Sequence, residues 1–509
     1  MRTKTETGKK DVGRVAARGW ASMLALLLAA ASFLAPGLEA QDFGFGDFSG
    51  GSGGGGLTVE IAGKLGLTLT SRFKDYRDGM DKNGNPLSLV RQPDALYANL
   101  DFSTSSSLGD AVVKLRLNPA GFVTADDVAA LDEAYLRVFF GSFELEAGRR
   151  RLNWGKADAG GPLNVINTSG TSGGGSDGGG NSSGNDMGSL ANASEANTLL
   201  HGTYRFGQSK VEAVFVPVYE PSSQIAAALS DGGMMSTLTT GITDPYIKTY
   251  ADQALAAKMI PDTTTLEYFQ TGVRFSTILG PVDLGAQYYY GRKAYPAIDF
   301  DAVAKAAMAV AVLGAAPTTA AVDAVVGGIS SPLVYNPYHQ IGVDAAWGLL
   351  GCNFRAELAA NISSDFDGDD PAVYNPNLAW HLGFDREIFW DMTLIVMANE
   401  TITLLHDKID STAYPMDADH LMGTGSDVSA TSLIALVSKN FFDGDLGVSL
   451  AGMATVEKFG FAVMPSVTWK QGNCSISLSA GFFGGNDDSQ FGQNGESLNF
   501  ASVALTYSF

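Results

Sequence analysis

The sequence predicts an all-β protein, a transmembrane antiparallel up-and-down β-barrel of about 18 strands. Two observations predict this fold class. Segments of about ten residues alternate apolar and polar side chains from Leu57 onward, and the links between them are alternately short and long. No stretch after residue 40 has the roughly 18 consecutive apolar residues of a transmembrane helix. An exported chain that spans a membrane without helices has to pair its backbone groups in a closed barrel.

The first 40 residues have the composition of a secretory signal peptide. Six basic side chains lie within residues 2–18, residues 21–35 are predominantly apolar, and Leu-Glu-Ala at 38–40 provides a small-residue cleavage site. We therefore expect residues 1–40 to be a signal peptide and Gln41 to be the mature N-terminus.

The barrel is predicted to follow a Gly-rich lead-in, residues 41–56, and to occupy residues 57–509. In its first strand Val59 and Ile61 lie on one face, whereas Glu60 and Lys64 lie on the other. The same alternation predicts strands at 57–71, 95–104, 109–118, 131–141, 142–150, 197–206, 209–219, 267–277, 281–291, 338–349, 351–362, 376–387, 391–404, 429–440, 445–455, 459–469, 473–484 and 497–509. The count falls to about sixteen if two of these assignments fail.

The lengths of the connections indicate which side of the membrane each one faces. Short links at 105–108, 141–142, 207–208, 279–280, 350–351, 441–444 and 471–472 alternate with long ones at 72–94, 151–196, 220–266, 292–337, 363–375, 405–428 and 485–496. Short periplasmic turns and long external loops are typical of barrels in the outer membrane of a diderm bacterium. The tight turn at Glu457-Lys458 departs from this order.

The final segment supports the same location. Residues 501–509 read A-S-V-A-L-T-Y-S-F, with apolar side chains at every second position back from Phe509. This ending resembles the C-terminal signal of bacterial outer-membrane β-barrels. The resemblance implies that Phe509 is recognised by the barrel assembly machinery and that outer-membrane lipids surround the protein.

Composition excludes several classes of protein. The net charge of −21 argues against nucleic acid as a partner, and 45% hydrophobic residues with only 17% charged residues argue against a disordered acidic chain. Two cysteines, Cys352 and Cys474, are too few for a disulfide framework, and we expect both to be free thiols because their strands lie far apart around the ring.

The third external loop, residues 151–196, which follows the fifth predicted strand, contains the most distinctive motif. G-R-R-R-L-N-W-G-K at 148–156 precedes G-P-L-N-V-I-N at 161–167, and a Gly/Ser tract follows at 172–184. The motif over 148–167 resembles a signature of alginate-export-like bacterial porins. Separately, the loop holds the position of the third external loop of general diffusion porins, which narrows their lumen, and this likeness implies the same role here. We interpret the Gly/Ser tract itself as a flexible surface excursion.

Strand parity assigns the side chains of the lumen. The candidate pore-lining and substrate-contacting residues are Lys114, Arg116, Arg137, Arg150, Arg205, Glu144 and Glu146. A wall relatively rich in Arg and Lys attracts anions or contacts sugar hydroxyls and carboxylates. The alternative is that paired charges only keep the lumen wet and hold the strands. Arg150, beside the third loop, is the single residue that we expect most to contact solutes.

The sequence gives no sign of an enzyme, a cofactor or a metal centre. Five histidines are scattered without the spacing of metal ligands, and no nucleophile elbow, P-loop or dinucleotide fingerprint has a suitable context. Acidic residues at 365–370 are spaced as in a calcium loop, but Pro376 occupies the position where an EF-hand needs Glu. A solvated acidic loop is the simpler interpretation, with a loop-bound cation as the alternative.

The main hypothesis is therefore a passive outer-membrane porin for small hydrophilic solutes, with anionic compounds and saccharides as candidates and a homotrimer allowed. One rival is a transporter of hydrophobic compounds, since helices predicted at 251–259 and 302–313 offer apolar side chains. Phe300, Val303, Val310, Val312 and Leu313 would form its path. The lead-in is too short for the N-terminal hatch of such transporters. Another rival is a surface adhesin or antigen with the barrel as a passive anchor.

Overall fold

A computed structural model describes residues 59–73, 96–117, 129–158, 160–167, 195–221, 237–409, 418–421 and 427–509. The predicted signal peptide, the lead-in and the Gly/Ser tract lie outside the described residues.

Eighteen strands form one closed antiparallel sheet. With two short strands in a loop, β10 and β11, the strands are β1 (Val59–Arg72), β2 (Leu96–Ser105), β3 (Gly109–Leu117), β4 (Ala129–Phe140), β5 (Phe143–Arg150), β6 (Asn197–Phe206), β7 (Ser209–Val216), β8 (Gln270–Leu279), β9 (Val282–Arg292), β10 (Ala297–Ile298), β11 (Leu333–Val334), β12 (Pro337–Leu349), β13 (Cys352–Ile362), β14 (Asn377–Ile388), β15 (Met392–Thr403), β16 (Ser429–Phe441), β17 (Leu446–Thr455), β18 (Gly460–Gln471), β19 (Cys474–Gly485) and β20 (Phe500–Ser508). Successive barrel strands pair with each other, and the strand count predicted from alternation is confirmed.

The barrel closes where β20 pairs with β1. Leu67 lies opposite Leu505 and Leu65 opposite Tyr507. Beyond the last pair, Gly63 N donates to Phe509 O at 2.9 Å and Phe509 N donates to Gly63 O at 3.0 Å. A Cβ on Gly63 would lie 2.6 Å from the Phe509 ring, so the ring occupies the space that a side chain at position 63 would fill.

The short turns follow from glycines that adopt positive φ. Gly141 (φ +63°) and Gly207 (φ +57°) each occupy the first position of a two-residue hairpin turn. A positive φ at this position is what a type II′ turn requires, and its twist matches that of the flanking strands.

The two faces of the strands differ as the parity predicts. On β13, Leu358 is 50% exposed on the outside, whereas Glu357 beside it is 3% exposed on the inside. On β12, Val343 faces outward and Asp344 inward in the same way. An apolar outer surface around a polar interior is the architecture of an outer-membrane β-barrel.

No helix of the described residues is long and apolar enough to cross a membrane.

The described helices lie in the long loops: α1 (Pro245–Ala256), α2 (Phe300–Ala311), α3 (Thr319–Gly327), α4 (Ala418–Leu421) and α5 (Gln490–Leu498). Asp244 and Asp299 cap the first two helices by accepting backbone N–H groups. Helices α1 to α3 share a core that includes Leu255, Val310 and Val322, all buried, and we call this unit the helical cap. The predicted helices in both loops are confirmed.

Cys352 and Cys474 are free cysteines, as predicted.

Candidate solute pathway

The third loop enters the barrel and is fixed there by one carboxylate. We call residues 152–158 and 160–167 the inner loop segment. Glu357 of β13 accepts three of its backbone N–H groups: Ala157 N at 2.7 Å and Lys156 N bind Oε1, and Leu163 N binds Oε2 at 3.2 Å. One inward-facing side chain therefore stabilises two separate parts of the segment.

Amide side chains of the wall bind the carbonyl groups of the same segment. Gln287 Nε2 donates to Leu163 O and Gln340 Nε2 donates to Pro162 O, both at 2.9 Å. Within the segment, Asn167 Oδ1 accepts Leu152 N at 2.8 Å and its Nδ2 donates to Leu152 O at 3.2 Å. The backbone polar groups of a buried loop need such partners, and here the inner wall supplies them.

Apolar burial adds to these hydrogen bonds. Trp154 is 3% exposed and belongs with Ile166 to a cluster that includes Tyr289 of β9 and Tyr338 of β12. A Cβ on Gly272 of β8 would lie 2.9 Å from the Trp154 ring. The segment thus packs closely against several strands.

Ion pairs hold the side of the segment nearer the periplasm. Lys156 Nζ lies 2.7 Å from Asp283 and 3.4 Å from Asp344, and Arg274 lies 2.7 Å from Asp344. Burial of a charge is costly without a partner, and each of these groups has one.

A cavity lies on each side of the inner loop segment. The external cavity, of about 320 Å³, is lined by segment residues 160, 162 and 164–167 and by the external ends of β9 and β12 to β15. The periplasmic cavity, of about 430 Å³, is lined by segment residues 153–156 and by the ends of β6 to β9 near their short turns. The segment therefore lies between two cavities of one lumen.

The two cavities differ in chemistry. Amide side chains dominate the external cavity: Asn164, Asn167, Asn197, Gln270, Gln340, Asn361, Asn377 and Asn399. Charged side chains dominate the periplasmic cavity: Lys156, Arg205, Lys210, Glu212, Arg274 and Asp283.

The cations predicted to line the lumen are paired with carboxylates in the structure. Arg137 Nε lies 2.6 Å from Glu146 and 3.0 Å from Glu144, and Arg205 lies 2.6 Å from Glu144. Arg150 pairs with Glu146 and lies 4.9 Å from the centre of the Tyr135 ring. The other two predicted cations are paired as well, Lys114 with Glu133 and Arg116 with Asp132 at 3.1 Å.

Of the seven predicted pore-lining residues, only Arg205 lines either cavity. Contact between solutes and any of the seven stays a prediction.

Lys293, just beyond β9, was missed by sequence reasoning. It lies in the loop after β9, where the alternation of the strand no longer predicts the direction of a side chain. In the structure it lines the external cavity. Burial lowers the pKa of its ammonium group to about 8, against a smaller opposing effect of Asp419. The amide side chains of the external cavity were also missed, although the inward parity of Gln340, Asn361 and Asn377 on successive strands could have indicated them.

The described residues contain no group of three His, Cys, Asp or Glu that could hold a metal ion. His201 instead lies between two carboxylates, with Nδ1 2.7 Å from Glu146 and Nε2 3.5 Å from Glu212. Asp365 accepts the N–H groups of Gly368 and Asp370 at 2.8 and 3.0 Å, so its carboxylate stabilises its own loop.

No protein-family model and no curated protein matches the chain. Solved structures are similar at low identity. Wzi, an outer-membrane carbohydrate-binding β-barrel of Escherichia coli involved in capsule assembly, has 11% identity and a TM-score of 0.44, over 88% of this chain and 84% of that one. OccK3 of Pseudomonas aeruginosa has 9% identity and a TM-score of 0.44, over 89% and 95%. The outer-membrane channel DcaP of Acinetobacter baumannii has 10% identity and a TM-score of 0.37, over 91% and 100%. With TM-scores below 0.5, none of these similarities bears on the solute or mechanism of this chain.

Proposed function

We propose that this protein is a passive outer-membrane channel for small hydrophilic solutes, narrowed by the third external loop. The observation that carries the proposal is the position of the inner loop segment. Three backbone N–H groups bound by Glu357 hold it against the inner wall, between the external and periplasmic cavities. A solute that diffuses through the lumen has to pass beside this segment.

The walls of the pathway favour polar solutes. Amide groups in the external cavity offer both donors and acceptors, which suit hydroxyl and carboxylate groups. The paired charges of the periplasmic cavity keep the lower lumen hydrated. Anionic and saccharide solutes are accordingly the candidates.

The transporter of hydrophobic compounds loses its main support. Val310 is buried in the helical cap, and Phe300, Val303 and Leu313 pack against the same core. Apolar side chains that stabilise the cap are not available as a continuous path for a ligand. For an adhesin, nothing in the described loops favours a particular partner.

Solute flux through the purified barrel tests the proposal. The full chain is reconstituted into liposomes, and swelling is measured in isotonic sugars of increasing size. We expect fast swelling with small sugars and a size limit that increases when Glu357 is replaced by alanine. Swelling no faster than that of protein-free liposomes would contradict the channel.

A further inference from the structure

Two cationic side chains among the described residues line the external cavity, Arg292 and Lys293, and the Arg292 guanidinium donates to the carbonyl oxygens of Tyr335 and Glu267. Lys293 differs from the paired cations of the basic wall and of the periplasmic cavity in its surroundings. Arg137, Arg150, Arg205 and Arg274 each lie within an ion pair to a carboxylate. For Lys293, no carboxylate among the described residues lies within 4.0 Å of Nζ. A positive charge that lines a cavity without a direct counter-ion is available to a negatively charged ligand.

Aromatic rings and backbone hydrogen bonds hold Lys293 in place. Nζ lies 4.9 Å from the centre of the Tyr338 ring and 5.6 Å from that of Tyr374. Lys293 N donates to Asn336 O at 2.9 Å, and the Tyr219 hydroxyl donates to Lys293 O at 3.2 Å. Cation–π contacts stabilise the ammonium without neutralising it, and Tyr338, the nearer of the two rings, lines the external cavity as well.

A row of amides continues across the same wall. Gln287 Nε2 donates to Gln340 Oε1 at 2.9 Å, Gln340 Nε2 donates to Asn361 Oδ1 at 2.9 Å, and Asn361 Nδ2 donates to Asn377 Oδ1 at 2.7 Å. We call these four residues the amide row. In each of these bonds the amide nitrogen of one residue donates to the amide oxygen of the next. Among the described residues, none accepts a hydrogen bond from Asn377 Nδ2, the last donor of the row. The row therefore leaves a donor at the external cavity, which Asn377 lines.

The cavity has little negative charge to repel an anion. Among the described residues, its one acidic lining residue is Glu400, which accepts the Trp380 indole N–H at 2.6 Å. Asp419 attracts Lys293 from a greater distance, and its Oδ2 accepts Asn375 N at 2.8 Å.

We propose that the external cavity binds a small organic carboxylate that carries hydroxyl groups, with Lys293 holding the carboxylate and Asn377 and its neighbouring amides holding the hydroxyls. This site deepens the proposed channel function, since it lies on the external side of the inner loop segment and selects solutes before they pass it. The site is distinct from the paired cations around Arg150.

Binding at this site depends on pH through Lys293. The groups that face its ammonium are Tyr338 from β12, Tyr374 from the loop before β14, and Asp419 from α4. Its pKa of about 8 means that the ammonium is mostly charged at pH 7 and mostly neutral at pH 9. The charged fraction falls about tenfold between these pH values, so carboxylate affinity falls by the same factor.

Calorimetric titration of the detergent-solubilised full chain tests the site without requiring conduction. The probes are three six-carbon compounds. Gluconate carries a carboxylate and hydroxyl groups, sorbitol carries hydroxyl groups only, and hexanoate carries a carboxylate only. We expect gluconate to bind at least tenfold more tightly than either of the others at pH 7, and its Kd to rise about tenfold at pH 9.

Variants separate the site from general effects on the barrel. Lys293→Gln should reduce gluconate affinity to that of sorbitol and abolish the pH dependence, whereas Lys293→Arg should retain binding at both pH values. Lys458→Gln is the matched control, because Lys458 pairs with Asp427 at 3.4 Å and does not line the external cavity, and it should bind as the native chain does. Equal gluconate affinity in the native chain and Lys293→Gln, or no gluconate binding by a folded barrel, would overturn the site. Channel conduction is measured separately. Absence of gluconate binding would therefore contradict this site and leave the proposed channel function untouched.

Discussion

Replacing Glu357 by alanine should release the inner loop segment and widen the lumen. The carboxylate is 3% exposed and accepts the N–H groups of Lys156, Ala157 and Leu163. Without it, these three donors on two parts of the segment lose their partner. The other contacts of the segment, such as Gln340 to Pro162 O, then hold it alone.

The magnitude follows from the number and type of these bonds. A hydrogen bond to a charged group contributes about 1.5–3 kcal/mol, and the lower value applies because the released N–H groups can bind lumen water. Three bonds give about 4.5 kcal/mol, from which the desolvation of the buried carboxylate subtracts a part. A net loss of about 3 kcal/mol raises the population of the released segment by roughly a hundredfold.

Single-channel recording measures this release. We expect Glu357→Ala to show higher conductance and more current noise in the open state than the native chain. Asp365→Ala is the matched control, since it removes a carboxylate that accepts two backbone N–H groups, those of Gly368 and Asp370 in its own loop, and does not contact the segment. If both variants had the same conductance and noise, Glu357 would not hold the constriction.

Three further predictions concern the seam, the helical cap and the basic wall. Gly63→Ala should lower the yield of folded barrel, seen as heat-modifiable mobility on a gel, because its Cβ would lie 2.6 Å from the Phe509 ring; Gly348→Ala, with open space around it, should fold normally. Leu255→Ala should destabilise the helical cap by about 2–5 kcal/mol and expose it to protease while the barrel persists. Arg150→Glu should shift the reversal potential in a salt gradient toward cation selectivity, and an unchanged reversal potential would exclude Arg150 from the pathway.

Much of the barrel could be predicted from the sequence because its rules are local. Alternation with period two marks each strand, and pairing between neighbours in sequence then follows without long-range information. The closing pair of β1 and β20 is the one distant pairing, and it follows from closure itself. The apolar row of residues 501–509 sets the parity from which Glu144, Glu146 and Arg150 are predicted to face the lumen, and in the structure Glu144 pairs with Arg137 and Glu146 with Arg150.

The candidate site could be predicted less well because it depends on distant contacts. Nothing in the sequence near Glu357 shows that it binds the backbone of residues 156–163, about 200 positions earlier. Strand parity places Arg137 in the lumen but does not show that two carboxylates neutralise it. Lys293 lies beyond its strand, where alternation gives no information, and only the folded loops show that it lacks a close carboxylate.

Planar-bilayer recording of the purified full chain tests the central claim most directly. The channel account predicts steady openings with a linear current–voltage relation, since the lumen is hydrated and the inner loop segment is fixed to the wall. A bilayer that stays silent while the protein is shown to be folded and inserted would contradict it.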